Sequence, residues 1–161
     1  MIATDTRQVA WEAAAAVPDP EVPCVTVADL GILRDVQMQD GVAVAQVTPT
    51  YSGCPATLAI ELSIEAALRD AGFEARIERV LSPAWTTDWI TSEGRDKLRK
   101  FGIAPPQDGQ GKAALFSAPE VTCPRCGSQN TQRISEFGST ACKAHYQCKA
   151  CAEPFDYFKC I

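Results

Sequence analysis

The sequence predicts an α+β protein: a small three-stranded domain of order α-β-β-α-β-α, followed by a C-terminal ribbon held by four cysteines. Three observations predict it. Two short strand-like runs flank Asp40-Gly41. A long apolar-striped segment starting at Pro55 stands between the second run and a third. Two Cys-x-x-Cys pairs lie close to the C-terminus.

In chain order, residues 5–16 (DTRQVAWEAAAA) are rich in helix formers and stop at Pro18. Residues 18–32 hold Pro18, Pro20 and Pro23 and read as an extended, irregular loop. Residues 32–39 and 42–48 read as a hairpin, because Asp-Gly accepts the positive φ of a two-residue turn. Residues 55–71 predict a helix with Pro55 at its start and Gly72 at its stop. In it Leu58 and Leu62, with Ile60, Ile64 and Leu68, read as one wide apolar stripe. Residues 74–81 alternate as a third strand, which the helix crossover brings parallel to a neighbour. Thr91 or Ser92 caps a last helix that Gly102 closes. The expected organisation is a domain at 1–104, a Pro/Gly/Gln-rich linker at 105–120 and a ribbon domain at 121–161.

Composition narrows the function. Hydrophobic residues make up 46% and charged residues 22%, the profile of a soluble globular chain. No apolar run is long enough to span a bilayer, and the N-terminus lacks the basic region of a signal peptide. A cytoplasmic protein without a membrane partner is expected. The net charge of −5 is uneven: residues 1–122 hold 10 Lys/Arg against 17 Asp/Glu, and residues 123–161 hold 5 against 3. Neither part has the basic patch that a nucleic-acid partner needs.

In a reducing compartment, eight cysteines point to metal or thiol chemistry rather than disulfides. Cys123-Pro-Arg-Cys126 and Cys148-Lys-Ala-Cys151 form two knuckles that place four thiolates around one ion. Zinc suits them, which makes the ribbon a four-cysteine zinc ribbon, with a rubredoxin-like iron site as the rival. Such a closed site is structural and supplies folding energy to a segment with little core. Phe155-Asp-Tyr-Phe158 reads either as an exposed docking surface or as packing against the ribbon itself. Cys142 and Cys160 are either small apolar fillers or ligands of a second, labile site, with Cys54 as a third member. His145, the single histidine, reads as a surface or packing residue.

Cys54 sits in Ser-Gly-Cys-Pro, where the second helix begins. As the N-cap it would face free N–H groups and the positive end of the helix dipole, which favour the thiolate. A buried structural thiol, a nucleophile and a metal ligand are the three readings of it. With no histidine nearby in sequence, no P-loop and no dinucleotide fingerprint, nothing completes a catalytic apparatus. A carrier role is favoured over turnover. Asp19, Glu21 and Asp29 are the acidic residues expected alongside.

Four stretches in order, 19-DPEVP-23, 29-DLGIL-33, 52-SGCPAT-57 and 83-PAWTTDWITSEGRDKL-98, resemble the small α+β domain of SufT-type proteins, which assist iron–sulfur cluster assembly and delivery. The four-cysteine ribbon ending 136-EFGSTACKAHYQCKACAEPFDYFKCI-161, fused to that domain, is similar to the PaaD family, the D subunits of bacterial phenylacetyl-CoA epoxidase systems. The resemblance implies a place in aerobic phenylacetate breakdown, beside a di-iron oxygenase and its flavin and iron–sulfur reductase. It implies a non-catalytic assembly subunit whose partners are those protein components. Cys54 would serve as a transient iron or iron–sulfur ligand, and Cys123, Cys126, Cys148 and Cys151 as the zinc ligands. Glu21 and Asp29 match acidic positions of the family motifs. A stable structural or electron-transfer subunit is the alternative, and a homodimer joining two Cys54 sites is compatible with both.

Overall fold

The computed structural model describes residues 5–50, 54–107 and 119–159. The chain divides into two compact units, Met1–Trp85 and Thr86–Ile161.

In the first unit, α1 (Thr6–Ala15) starts at Asp5, whose carboxylate accepts the N–H of Arg7 at 3.1 Å. β1 (Leu33–Gln39) and β2 (Val42–Val47) pair antiparallel around Asp40 (φ 50°) and Gly41 (φ 84°), as the Asp-Gly signal predicts. α2 (Ala56–Asp70) then crosses over to β3 (Glu74–Arg79), which runs parallel to β2. The sheet order β1-β2-β3 makes β2 the central strand. Ala43, Val44 and Ala45 are therefore buried in succession. α1 packs on β1, α2 on β3, and the two helices touch each other.

The single wide stripe expected of α2 splits into two faces. Ile60, Ile64 and Leu68 are buried, whereas Leu58 and Leu62 point to solvent. At 100° per residue, positions 58 and 60 lie on opposite sides of the helix. Glu61 on the flank accepts two bonds from Arg79 of β3, at 2.8 and 2.9 Å.

The proline-dense segment before β1 is irregular, as predicted, yet it belongs to the core: Val17, Val22, Val25, Val27, Leu30 and Ile32 are all buried. Carboxylates satisfy its turns. Asp19 accepts the N–H groups of Glu21 and Val22, each at 2.8 Å. Thr26 and Asp29 bond reciprocally, Thr26 N–H to Asp29 Oδ2 at 2.9 Å and Asp29 N–H to Thr26 Oγ1 at 3.1 Å. The indole of Trp85 donates to the Leu30 carbonyl at 2.7 Å.

The second unit opens with a 3₁₀ turn at Thr87–Trp89. α3 (Ser92–Phe101) follows, capped by Thr91 and closed by Gly102 (φ 88°). β4 (Ile103–Ala104), β5 (Thr131–Ser135), β6 (Lys143–Cys148) and β7 (Pro154–Phe158) form a sheet of order β4-β7-β6-β5. α3 and β4 are grouped with the ribbon strands in this unit. The reason is pairing: Ile103 and Ala104 lie parallel to Asp156 and Tyr157 of β7 and are buried there. Buried Arg95 of α3 donates to the carbonyls of Thr87 and Pro106, fastening the helix to the residues just past β4. Most of the expected linker lies outside the described residues. Among the described residues, no helix is long and apolar enough to cross a membrane.

Candidate metal centres

The two cysteine pairs form matching turns. In the first knuckle the N–H of Cys123 donates to Ser128 O at 2.9 Å, and in the second that of Cys148 donates to Glu153 O at 2.9 Å. The residue after each second cysteine is left-handed: Gly127 at φ 77° and Ala152 at φ 63°. Each turn also aims N–H groups at sulfur. Ser128 N–H faces Cys126, Glu153 N–H faces Cys151, and the N–H of Cys151 lies 3.5 Å from Cys148 Sγ. The structure thus repeats one turn twice, at the ends of strands that β-pairing holds side by side.

Together the knuckles bring the Sγ atoms of Cys123, Cys126, Cys148 and Cys151 within 4.8 Å of one another. Cys123 and Cys151 are 3.8 Å apart and Cys126 and Cys148 3.6 Å. A tetrahedron with zinc–sulfur bonds of about 2.3 Å has edges of about 3.8 Å, so the residues fit zinc, and the separations are far from a disulfide. Electrostatics point the same way. The N–H of Cys151 and then that of Ala150 lower the Cys148 thiol to about 7, against the opposing effect of burial. At Cys151 the N–H of Glu153 favours the thiolate, but burial and the three neighbouring thiols outweigh it and push the group up to about 12. Four thiolates cannot crowd into this space without a cation, and a dication removes the conflict.

Cys123 and Cys148 sit inside a small core with Ala104, Val121, Ala144, Tyr146, Phe155 and Tyr157, while Cys126 and Cys151 face solvent. Tyr146 stacks on Phe155 (6.0 Å) and meets Tyr157 edge-on (5.5 Å). Burial raises the Tyr146 phenol above its ordinary range, against a smaller pull from Arg133. Phe155, Tyr157 and Phe158 are all buried, so the docking reading of this run is corrected to packing. The signal was in β7 itself, the strand that follows the second knuckle and must cover the metal turn.

Outside this centre, no other group of three or more His, Cys, Asp or Glu gathers among the described residues. Cys142 is buried, its Sγ 3.0 Å from Thr140 Oγ1, and Cys160 lies outside the described residues. His145 is half-buried with Nδ1 3.4 Å from Asp156 Oδ1. Cys54 is half-buried, and its carbonyl accepts the N–H of Thr57 at 3.2 Å. The N-cap assignment moves by one residue: Pro55 takes that position, already with helical torsions (φ −66°, ψ −21°), and Cys54 precedes it. Glu21 is half-buried and Asp29 buried, Asp29 with the local bonding role described above. Asp19, named from the sequence only as a neighbour of Cys54, proves to be the buried acceptor for two turn N–H groups. Its signal was the Asp-Pro-Glu spacing, which suits a side chain accepting from the residues two and three ahead.

Comparison with known proteins matches both units. Residues 7–81 match the family described as iron–sulfur cluster assembly protein, and residues 107–159 match the PaaD zinc beta ribbon domain. A protein from Escherichia coli (strain K12), the D subunit of what is named "Putative 1,2-phenylacetyl-CoA epoxidase", is 52% identical over 153 residues, covering 94% of this chain and 91% of that one. Among solved structures, a domain of unknown function DUF59 from Bacillus anthracis is 25% identical with a TM-score of 0.52, covering 57% of this chain and 90% of its own. A conserved hypothetical protein from Thermotoga maritima is 26% identical with a TM-score of 0.49, covering 61% and 98%. The four-cysteine centre is a structural zinc site.

Proposed function

The chain belongs to the PaaD family, the D subunits of phenylacetyl-CoA epoxidase systems, and on that premise we propose that it is a cytoplasmic, non-catalytic maturation protein of the epoxidase. Its first unit offers Cys54 as a transient ligand for iron or an iron–sulfur cluster bound for the reductase or the di-iron oxygenase. The cluster or ion is cargo, and the zinc of the second unit stays in place as a structural member.

The observation that carries this reading is the contrast in completeness. The zinc centre has its four ligands, whereas Cys54 is a half-exposed thiol at the start of α2, in a unit that matches iron–sulfur assembly proteins. A single thiolate binds a metal weakly and exchanges it readily, which suits custody more than storage. No histidine lies in the first unit to act as its base, which argues against nucleophilic turnover.

Cys54→Ala, expressed with the reductase and oxygenase components, tests the reading. The variant is expected to fold and keep its zinc, while one of the two partners emerges short of cluster or iron. Full metal content and a normal anaerobic absorption spectrum in both partners would sink the idea. The relative's name as a subunit favours a second reading, a stable member of the oxygenase complex. That reading requires stoichiometric co-purification, and an electron-transfer role further requires a redox-active chromophore.

A further inference from the structure

The two cysteine turns are alike in backbone but not in sequence, and two of the places where they differ meet. Counted from its first cysteine, Cys123-Pro124-Arg125-Cys126-Gly127-Ser128 runs in step with Cys148-Lys149-Ala150-Cys151-Ala152-Glu153. Arg125 thus stands where the second turn has Ala150, and Glu153 where the first has Ser128. Across the gap between the turns these two are joined: Arg125 Nη1 donates to Glu153 Oε1 at 2.9 Å. Ala150 and Ser128, the counterparts of this pair, carry no charge. The repeated turn therefore holds a charged pair at one of its two equivalent places.

Glu153 is bound into the second turn by its backbone as well. Its carbonyl accepts the N–H of Cys148 at 2.9 Å, and its own N–H faces Cys151. Arg125 directly precedes Cys126 in the first turn. The ion pair therefore ties the backbone that shapes one turn to the neighbour of an outer ligand in the other. Pro154 follows Glu153 and disfavours helical backbone there, which trims the freedom lost at that end. Arg99 and Lys100 line the same small cleft, but Glu153 pairs with Arg125, and Arg99 pairs with Asp96 at 2.8 Å.

We propose that Arg125 and Glu153 form a strap across the two turns, holding the solvent-facing ligands Cys126 and Cys151 to the zinc and slowing its release. Both act through the ligands and are positioning residues. A different account makes Arg125 purely electrostatic: four thiolates exceed the charge of a dication, and a guanidinium nearby offsets the excess. The two accounts differ in sign at Glu153. Removing its charge cuts a strap and speeds release, whereas it frees a charge-offsetting Arg125 and slows release. The inference concerns the resident zinc and stands apart from any cargo at Cys54.

The full-length zinc-loaded chain is mixed with an excess of a chromogenic chelator. The rate of zinc transfer is followed for wild type, Arg125→Ala, Arg125→Lys, Glu153→Gln and Arg125→Ala/Glu153→Gln. Arg125→Ala and Glu153→Gln are each expected to release zinc about two- to fivefold faster, the range of an exposed ion pair. The double variant should be no faster than either single one, because the second change removes nothing further. Arg125→Lys, which keeps the charge but not the planar fork, should fall between wild type and Arg125→Ala. High salt should bring wild type toward the variants. Glu153→Gln preserves the shape of the side chain, so its zinc-loaded fold, read by circular dichroism, should match wild type. Slower release in Glu153→Gln overturns the strap in favour of charge alone. Unchanged rates in both single variants, or effects that simply add in the double one, overturn it as well.

Discussion

The two units hold their cysteine-bearing turns by opposite means. In the second, two copies of one turn face each other, and a metal closes the gap between them. The small aromatic core beneath them is built partly from two of the ligand cysteines. In the first, Cys54 lies at a junction secured without metal, between the central strand and a helix packed on a valine-rich core. Carboxylates, not a cation, satisfy the turns of its irregular segment. The difference teaches what each thiol is free to do. Ligands whose metal is also their scaffold are committed, while a cysteine whose surroundings stand without it is available for chemistry.

The strongest way to break this comparison is to remove a ligand. Cys148→Ser, or a chelator, is expected to unfold the ribbon, because structural zinc contributes about 10–16 kcal/mol of apparent binding energy in such domains. Zinc content should fall with the sheet's circular dichroism, while a separate unfolding transition of the first unit persists. Loss of both units in one transition would show that they are not separately held. A smaller effect is expected at Asp19→Ala, which strips two turn N–H groups of their acceptor and should cost about 2–3 kcal/mol. The denaturant midpoint of the first unit should drop with zinc content unchanged. The smallest expected effect sharpens the second knuckle. Ala152 holds the left-handed torsion that Gly127 holds in the first. Ala152→Gly should then stabilise the zinc-bound ribbon by up to about 1 kcal/mol, read from its thermal midpoint.

Much of this was legible from sequence because the signals are local. Asp40-Gly41 can hardly avoid a tight hairpin, Thr91 and Gly102 bracket α3, and the spacing of Cys123, Cys126, Cys148 and Cys151 describes the centre almost completely. What stayed hidden depends on distant partners. Ile103 and Ala104 join β7 from more than fifty residues away, so a two-residue strand left no periodic trace. The prolines around Val22 and Val25 announce irregular backbone but not that their neighbours fill the core. Leu58 and Leu62 share the four-residue rhythm of Ile60 and Ile64, and rhythm alone does not say which face of a helix is covered. For Cys54 the sequence located the junction to within one residue, since Pro55 can start a helix but its own torsions make it the cap.

The burial pattern of the zinc ligands gives the centre a direction. Cys123 and Cys148 are sealed on the inner side and Cys126 and Cys151 stand at the outer one. Oxidants and competing chelators therefore meet the outer pair first, Cys126 and Cys151, and reach the inner sulfurs only after it.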